Sequence, residues 1–360
     1  MARVLITGGA GFIGSRLVQT LVSAGDEVVV YDSLLDQVHG PAPTLAPALA
    51  DCRFIQGDIR DRSRLEDTIR QFDPDTVFHL ASETGTGQSH ELPMRYCEVN
   101  VNGTALLVEG LRALSTRPRR VVLAGSRAVY GEGAYRSTTG ALVTPDPRRA
   151  EDMARGQFAP LDAAGLPLTP MATDERLPPT PVSIYASTKL MQEYVLRQGL
   201  VDSPTTVCVL RLQNVYGPGQ SLRNPYTGVL SIFARQVLDG RTLQIYEDGD
   251  IARDFVFVDD VVRALVRAGV AEVAGDLPIN IGSGKTAFMP RVASILLQAL
   301  GRPADDYVIT GQFRAGDIRH AVADIRLADD VLGWRPEVSL DDGMRALADW
   351  ARREREAGRI

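Results

Sequence analysis

Val4-Leu5-Ile6-Thr7-Gly8-Gly9-Ala10-Gly11-Phe12-Ile13-Gly14 decides how this chain folds. An apolar run, Val4 to Ile6, meets a glycine cluster. It gives way to Phe12, Ile13, Leu17, Val18, Leu21 and Val22, whose spacing is helical, so the stretch reads as strand, tight turn, helix. The glycines let the backbone turn sharply, approach a ligand without a side chain in the way, and pack the helix on the strand. The helix start then offers free N–H groups and the positive end of its dipole, which suit a pyrophosphate. Glycine turns are common, so Gly9-x-Gly11-x-x-Gly14 takes its meaning from context. A second strand, residues 27–31, ends in Asp32, where a carboxylate would take both hydroxyls of an adenine ribose. Ser33, Leu34 and Leu35 follow, with no Arg or Lys to hold a 2′-phosphate, so NAD is expected rather than NADP.

Strand and helix signals keep alternating outward from this stretch. Residues 40–50, rich in Pro and Ala, read as a surface loop with a short helix at most. Strands are expected at 53–56, 76–80 and 120–124, and helices after Asp61 and over 94–114. This predicts an α/β fold with a Rossmann-type doubly wound parallel sheet. The loops at 7–14, 32–34, 58–59, 81–88 and 125–130 leave the carboxyl ends of its strands and should line one cleft. Asp58 could accept from an adenine amino group or cap the next helix. Residues 81–88, small and hydroxyl-rich, suit a wall over nicotinamide and sugar, while His79 reads as a satisfied buried histidine.

At 360 residues and a formal charge of −6, with no long basic block, neither nucleic acid nor an anionic membrane is expected as a partner. Cys52, Cys97 and Cys208 are too scattered for a disulfide framework and read as buried free thiols of a reducing cytoplasm. No apolar run is long enough to span a membrane, and four scattered histidines assemble no metal site. Gly284-Lys285-Thr286 is no nucleotide-triphosphate loop, because the first glycine of that pattern would fall at Ile279.

Two pieces carry chemistry. One is Ser126, at the mouth of the fifth strand in Ala124-Gly125-Ser126-Arg127-Ala128-Val129-Tyr130-Gly131; the other is Tyr185-Ala186-Ser187-Thr188-Lys189, opening a helix. Tyr185 and Lys189 fall on one helical face. A phenol titrates near 10, so an ammonium beside it, with a positive nicotinamide, is expected to favour the phenolate base. A serine hydroxyl can hydrogen-bond the substrate oxygen while its proton moves.

With these pieces in place, the chain resembles an extended short-chain dehydrogenase/reductase of the NAD-dependent nucleotide-sugar epimerase and dehydratase family, nearly end to end. The likeness rests on the glycine stretch, Gly57-Asp58-Ile59-Arg60-Asp61, His79-Leu80-Ala81, Asn100-Val101-Asn102-Gly103-Thr104, the Ser126 and Tyr185-x-x-x-Lys189 pieces, Arg211 to Gly219, Arg253 to Asp260, and Asn280-Ile281-Gly282-Ser283-Gly284. Three further stretches, 83–89, 219–228 and 316–320, resemble the branch that epimerises dTDP-L-rhamnose or a related deoxysugar. The resemblance implies that Ser126, Tyr185 and Lys189 are catalytic. It implies NAD contacts at Gly8, Gly11, Phe12, Ile13, Gly14, Asp32, Asp58, Ile59, Leu80, Ala81, Ser82 and Asn100, with Tyr185 and Lys189. For the nucleotide-diphosphate sugar it implies Thr84, Ser126, Asn214, Arg253, Arg314 and Asp317, with no metal.

Residues 1–213 are expected to form the NAD-binding domain and 214–360 a smaller substrate-binding α/β part, with about 251–281 returning to the first domain. Residues 132–180 read as an insertion, either a flap near the sugar pocket or an oligomer contact. The implied activity is a cytoplasmic, homodimeric NAD-dependent 4-epimerase of a nucleotide-activated hexose; a 4,6-dehydratase or 4-ketoreductase is the alternative. A dehydratase needs an acid pair after the catalytic hydroxyl, where this chain has Arg127 and Ala128.

Overall fold

The computed structural model describes the whole chain except Ala42, Thr44, the side chain of Ala48, Pro225, Thr227, residues 272–277 and Ala315. Pro225 and Thr227, part of the 219–228 stretch singled out above, therefore lie outside the described residues.

The first half runs β1 (Arg3–Thr7), α1 (Phe12–Ser23), β2 (Glu27–Asp32), β3 (Arg53–Gln56), α2 (Arg62–Phe72), β4 (Thr76–His79), α3 (Gly103–Ala113), β5 (Arg120–Ser126), α4 (Ile184–Gly199) and β6 (Thr206–Leu212). After these come the helices α5 (Val229–Leu238) and α6 (Val258–Val270), the strand β7 (Ile279–Ile281), and the helices α7 (Met289–Ala299) and α8 (Leu340–Glu356). The fold is the expected α/β type: seven parallel strands in the order β7-β6-β5-β4-β1-β2-β3. The order reverses between β1 and β4, which opens a crevice at their carboxyl ends.

The pleat sorts the side chains of β1. Val4 and Ile6 face a core built with Leu17 of α1 and Val261 and Leu265 of α6, while Leu5 faces Leu65 and Ile69 of α2 and Leu107 of α3. A separate core joins Leu230 and Phe233 of α5, Val292 and Leu296 of α7, and Met344 and Leu347 of α8. Each fully buried Leu or Val of these clusters contributes about 1.5–3 kcal/mol.

The helical stretch expected at 94–114 is interrupted. A short turn, Pro93–Tyr96, leads into a π-helical segment, Cys97–Asn102, before α3 begins. Cys97 is exposed on this segment, and Cys52 is half-buried, so of the three thiols only Cys208 is buried. The insertion carries a three-stranded antiparallel sheet, Tyr135–Arg136 between Leu142–Val143 and Thr169–Pro170, and the helix Ala150–Ala154.

Candidate active site

One cavity of about 970 Å³ opens over the carboxyl ends of the sheet. Its floor is the turn from β1 to α1. Gly8 holds φ +73°, and a Cβ there would lie 2.6 Å from the Ala81 nitrogen; one on Gly14 would lie 2.5 Å from the Gly8 oxygen. These two glycines make β1, α1 and the loop after β4 fit together. Gly11 caps α1 without a side-chain bond, and the first turn holds no acid, so its N–H groups face the cavity unopposed.

Asp32 ends β2 beside this turn. Its Oδ2 accepts from the Ala10 N–H at 2.9 Å and its Oδ1 from the Leu34 N–H at 2.9 Å. Both oxygens keep acceptor capacity, and the residue lines the cavity. Asp58 also lines it, but the capping alternative is overturned: α2 is capped by Asp61, which accepts from the Arg64 N–H at 3.1 Å. The Asp58 carboxylate is gripped by Arg60, through Nε at 2.9 Å and Nη2 at 2.7 Å, and that pairing holds it below its ordinary range.

Asn100 departs from the other cofactor candidates. It is fully buried in the π segment, where its Oδ1 accepts from the Glu83 N–H at 2.7 Å and its Nδ2 donates to Glu83 O at 3.1 Å and Thr188 Oγ1 at 3.0 Å. It carries the loop of Leu80, Ala81 and Ser82, which does line the cavity, and does not line it itself. Thr84 stands in the same wall, with its carbonyl accepting from the Tyr96 hydroxyl at 2.7 Å.

Ser126 is brought to the cavity as the last residue of β5, capping the short turn Arg127–Tyr130 through Ala128 N–H at 3.2 Å. Tyr185 is the second residue of α4, whose cap Ser183 accepts from Ala186 N–H at 3.1 Å. Ser126 and Tyr185 both line the cavity, and the Tyr96 ring meets Tyr185 edge-on at 6.4 Å. The electrostatics differ from the sequence expectation. Burial raises the Tyr185 phenol above its ordinary value, with Ser126 and the Arg127 guanidinium pulling the other way. Lys189 is turned aside: its Nζ donates to Gln192 Oε1 at 2.6 Å and lies 3.5 Å from Ser82 Oγ. Burial pulls its ammonium down to about 7, against the attraction of Glu193.

On the opposite wall stand Asn214, Arg253, Arg314 and Asp317. Arg253 donates to three carbonyls, Ala252 at 2.9 Å, Arg319 at 3.1 Å and Ile318 at 2.9 Å, and makes no ion pair among the described residues. Burial lowers its pKa. Arg314 lies over the Tyr246 ring at 5.2 Å. Arg127, beside Ser126, donates to Gly131 O at 2.8 Å, and its buried Nε has no partner among the described residues. Cations without carboxylate partners in one cavity are a site for an anion.

Sequence reasoning missed the residues that hold this wall. Arg148, from the insertion, reaches Glu132 Oε1 at 2.9 Å, Glu247 Oε2 at 2.8 Å and the backbone oxygen of Asp317 at 2.7 Å. Arg319 joins the same network through Glu247 at 2.9 Å and Asp248 at 2.9 Å. Asp254, fully buried, accepts from Ser283 and Gly284, so the Asn280 to Gly284 motif folds around a carboxylate.

The family model for NAD dependent epimerase/dehydratase proteins matches residues 4–154 and 162–282. The chain belongs to this family. Across 98% of its length it is 37% identical to a dTDP-L-rhamnose 4-epimerase of Burkholderia thailandensis, covering 95% of that protein. It is 34% identical to a UDP-glucose 4-epimerase of Mycolicibacterium smegmatis over 97% of this chain and 98% of that one. Among solved structures, the UDP-glucuronic acid 4-epimerase of Bacillus cereus, in complex with UDP-glucuronic acid and NAD, superposes with a TM-score of 0.78 at 26% identity, covering 97% of this chain and 99% of that one. NAD is this family's cofactor, and the glycine turn fits it on local grounds: no room for a Cβ, free N–H groups and a carboxylate at Asp32. Among the described residues no helix is long and apolar enough to cross a membrane.

Proposed function

We propose that this family member is a 4-epimerase of a nucleotide-diphosphate deoxyhexose, with dTDP-L-rhamnose as the favoured substrate, and that it keeps NAD bound through the cycle. One observation carries the reading: Ser126, Tyr185 and Lys189 line one cavity together with Arg253, which has no carboxylate partner among the described residues. The relative from Burkholderia supports the choice of sugar.

Gly8, Gly11, Phe12, Ile13, Gly14, Asp32, Asp58 and Ile59, with the Leu80 to Ser82 loop, would hold NAD. When bound, NAD takes a hydride from sugar C4 and returns it. Tyr185 as phenolate removes the 4-OH proton and later gives it back, Ser126 holds the same oxygen, and Lys189 supplies the positive charge that favours the phenolate. Arg253 and Arg314 hold the diphosphate, with Asn214 and Asp317 beside them. A 4-keto sugar that turned over in the cavity would present its other face to the same hydride, with no net redox change. Arg127 and Ala128 supply no acid pair, which disfavours the dehydratase reading.

Localisation in the cytoplasm and a homodimer belong to the same reading. Met191 and Tyr194 share an exposed face of α4, and Met94 stands out from the neighbouring turn, which fits a second copy. A light-scattering mass of one chain would remove the dimer. For the activity, the purified protein with dTDP-L-rhamnose and no added NAD should give a second set of sugar proton signals by NMR. Tyr185→Phe should lower kcat by about 10³-fold, and full turnover in that variant would sink the proposal.

A further inference from the structure

A chain of buried side chains runs beneath Lys189 and takes no part in the mechanism above. Lys189 Nζ donates to Gln192 Oε1 at 2.6 Å. Gln192 Nε2 donates to Thr104 Oγ1 at 2.9 Å and lies 3.2 Å from His79 Nε2, and His79 Nδ1 lies 2.7 Å from Thr7 Oγ1. All five residues are buried, Gln192 completely.

His79 Nε2 also lies 2.9 Å from Thr104 Oγ1, and one arrangement of the protons satisfies all of these contacts. Thr104 donates its own hydroxyl proton to Asn100 O at 2.5 Å, so its oxygen is left to accept from Gln192. Burial holds the His79 imidazole down to about 3, so it is neutral. With its proton on Nδ1 toward Thr7, its Nε2 accepts from the second Gln192 N–H. Both donors of the amide are then committed to one side, and its oxygen faces Lys189. A flipped amide would set N–H groups 2.6 Å from an ammonium.

We propose that Gln192 is a positioning residue for the reaction, its carbonyl fixed by Thr104 and His79 so that Lys189 stays charged and keeps its remaining N–H groups toward the cavity. This rests on the epimerase reading for its consequence, though not for its geometry. Desolvation favours the neutral amine of a buried lysine, and a charge-assisted bond to a fixed carbonyl works against it. The charged and titratable groups around Lys189 are Tyr185 and Glu193 on its own helix, His79 from β4, Arg127 after β5, and Arg211 from β6, which is paired with Glu193. While Tyr185 is a neutral phenol, only Glu193 among these favours the ammonium, and Arg211 occupies that carboxylate at 2.7 Å.

The composition makes the test direct. Of 39 Lys and Arg residues only Lys189 and Lys285 are lysines, and Lys285 is exposed. Lysine labelled with ¹³C at Cε therefore yields two side-chain signals, one an internal reference. In the full chain with NAD bound, Gln192→Met should lower the Lys189 titration midpoint by about one pH unit and leave Lys285 in place. The alkaline limb of kcat should move acidward by the same amount, giving roughly tenfold lower kcat on that limb with KM within about twofold, and Gln192→Glu should restore the limb. An unchanged Lys189 midpoint in folded Gln192→Met, or a loss of kcat equal at every pH, overturns the proposal. Should Gln192→Met not fold, Thr104→Val removes the hydroxyl that fixes the amide, and the same shift, smaller, is expected. If the wild-type protein epimerises nothing, the epimerase reading falls while the titration still decides the role of Gln192.

Discussion

Two sets of arginines divide this molecule, one buried and ion-paired, the other half-buried in the cavity wall. Arg211 is bound by both oxygens of Glu193, at 2.9 and 2.7 Å, and stacks over the Tyr130 ring at 4.7 Å. Arg253 and Arg127, in the cavity, have only backbone carbonyls for direct partners among the described residues. Removing a cation from water costs several kcal/mol in either place. Beneath the sheet the cost is offset by a carboxylate that never leaves. In the cavity it is left open for an anion that comes and goes, which is how scaffold and site can be told apart in an acidic protein.

Breaking the paired set should cost the most. Glu193→Gln leaves a buried guanidinium with a neutral partner, and a loss of about 3–5 kcal/mol in unfolding free energy is expected by urea titration. Arg253→Met should leave stability nearly intact and raise KM for the nucleotide sugar about 30- to 100-fold, the worth of roughly 2–3 kcal/mol of charge-assisted contact. An equal fall in stability would erase the distinction between the sets.

The pH dependence of stability offers a sharper version. His79 is held down to about 3 in the fold against an unfolded value near 6.5. Between those values the unfolded chain binds the extra proton, so this contribution is complete above about pH 6.5 and is lost as pH falls, by about 1.4 kcal/mol per unit. Thermal melts of His79→Asn should lack that slope. The smallest effect on substrate binding is expected at Arg148, whose donor to the Asp317 carbonyl comes from the insertion. Arg148→Met should raise KM about fivefold through a loosened Asp317 loop, roughly 1 kcal/mol, with kcat unchanged by steady-state assay.

What could be read from the sequence was what the backbone itself demands. Gly8 and Gly14 admit no Cβ, and a Tyr and a Lys four apart share a helical face wherever that helix lies. The sheet followed from alternating apolar runs, since β1 alone feeds two cores by its pleat. Asp58 was open to misreading because Asp61, three positions on, sits where the cap belongs. Arg148 was out of reach for another reason. Its partners Glu247 and Asp317 lie 99 and 169 residues away, and nothing local marks a long-range ion pair. Gln192 did leave a signal, lying at i+3 from Lys189 on the same face of α4, but glutamine at that spacing has no meaning until His79 and Thr104 are placed beside it.

In this reading hydride leaves C4 and returns to it inside one cavity, without passing to solvent. Epimerisation of dTDP-L-rhamnose in D₂O, followed by proton NMR, tests this most directly. The account predicts that both 4-epimers form with ordinary hydrogen kept at C4, because the hydride never meets solvent, and with none exchanged at C3 or C5. Deuterium at C4 of the product would contradict it.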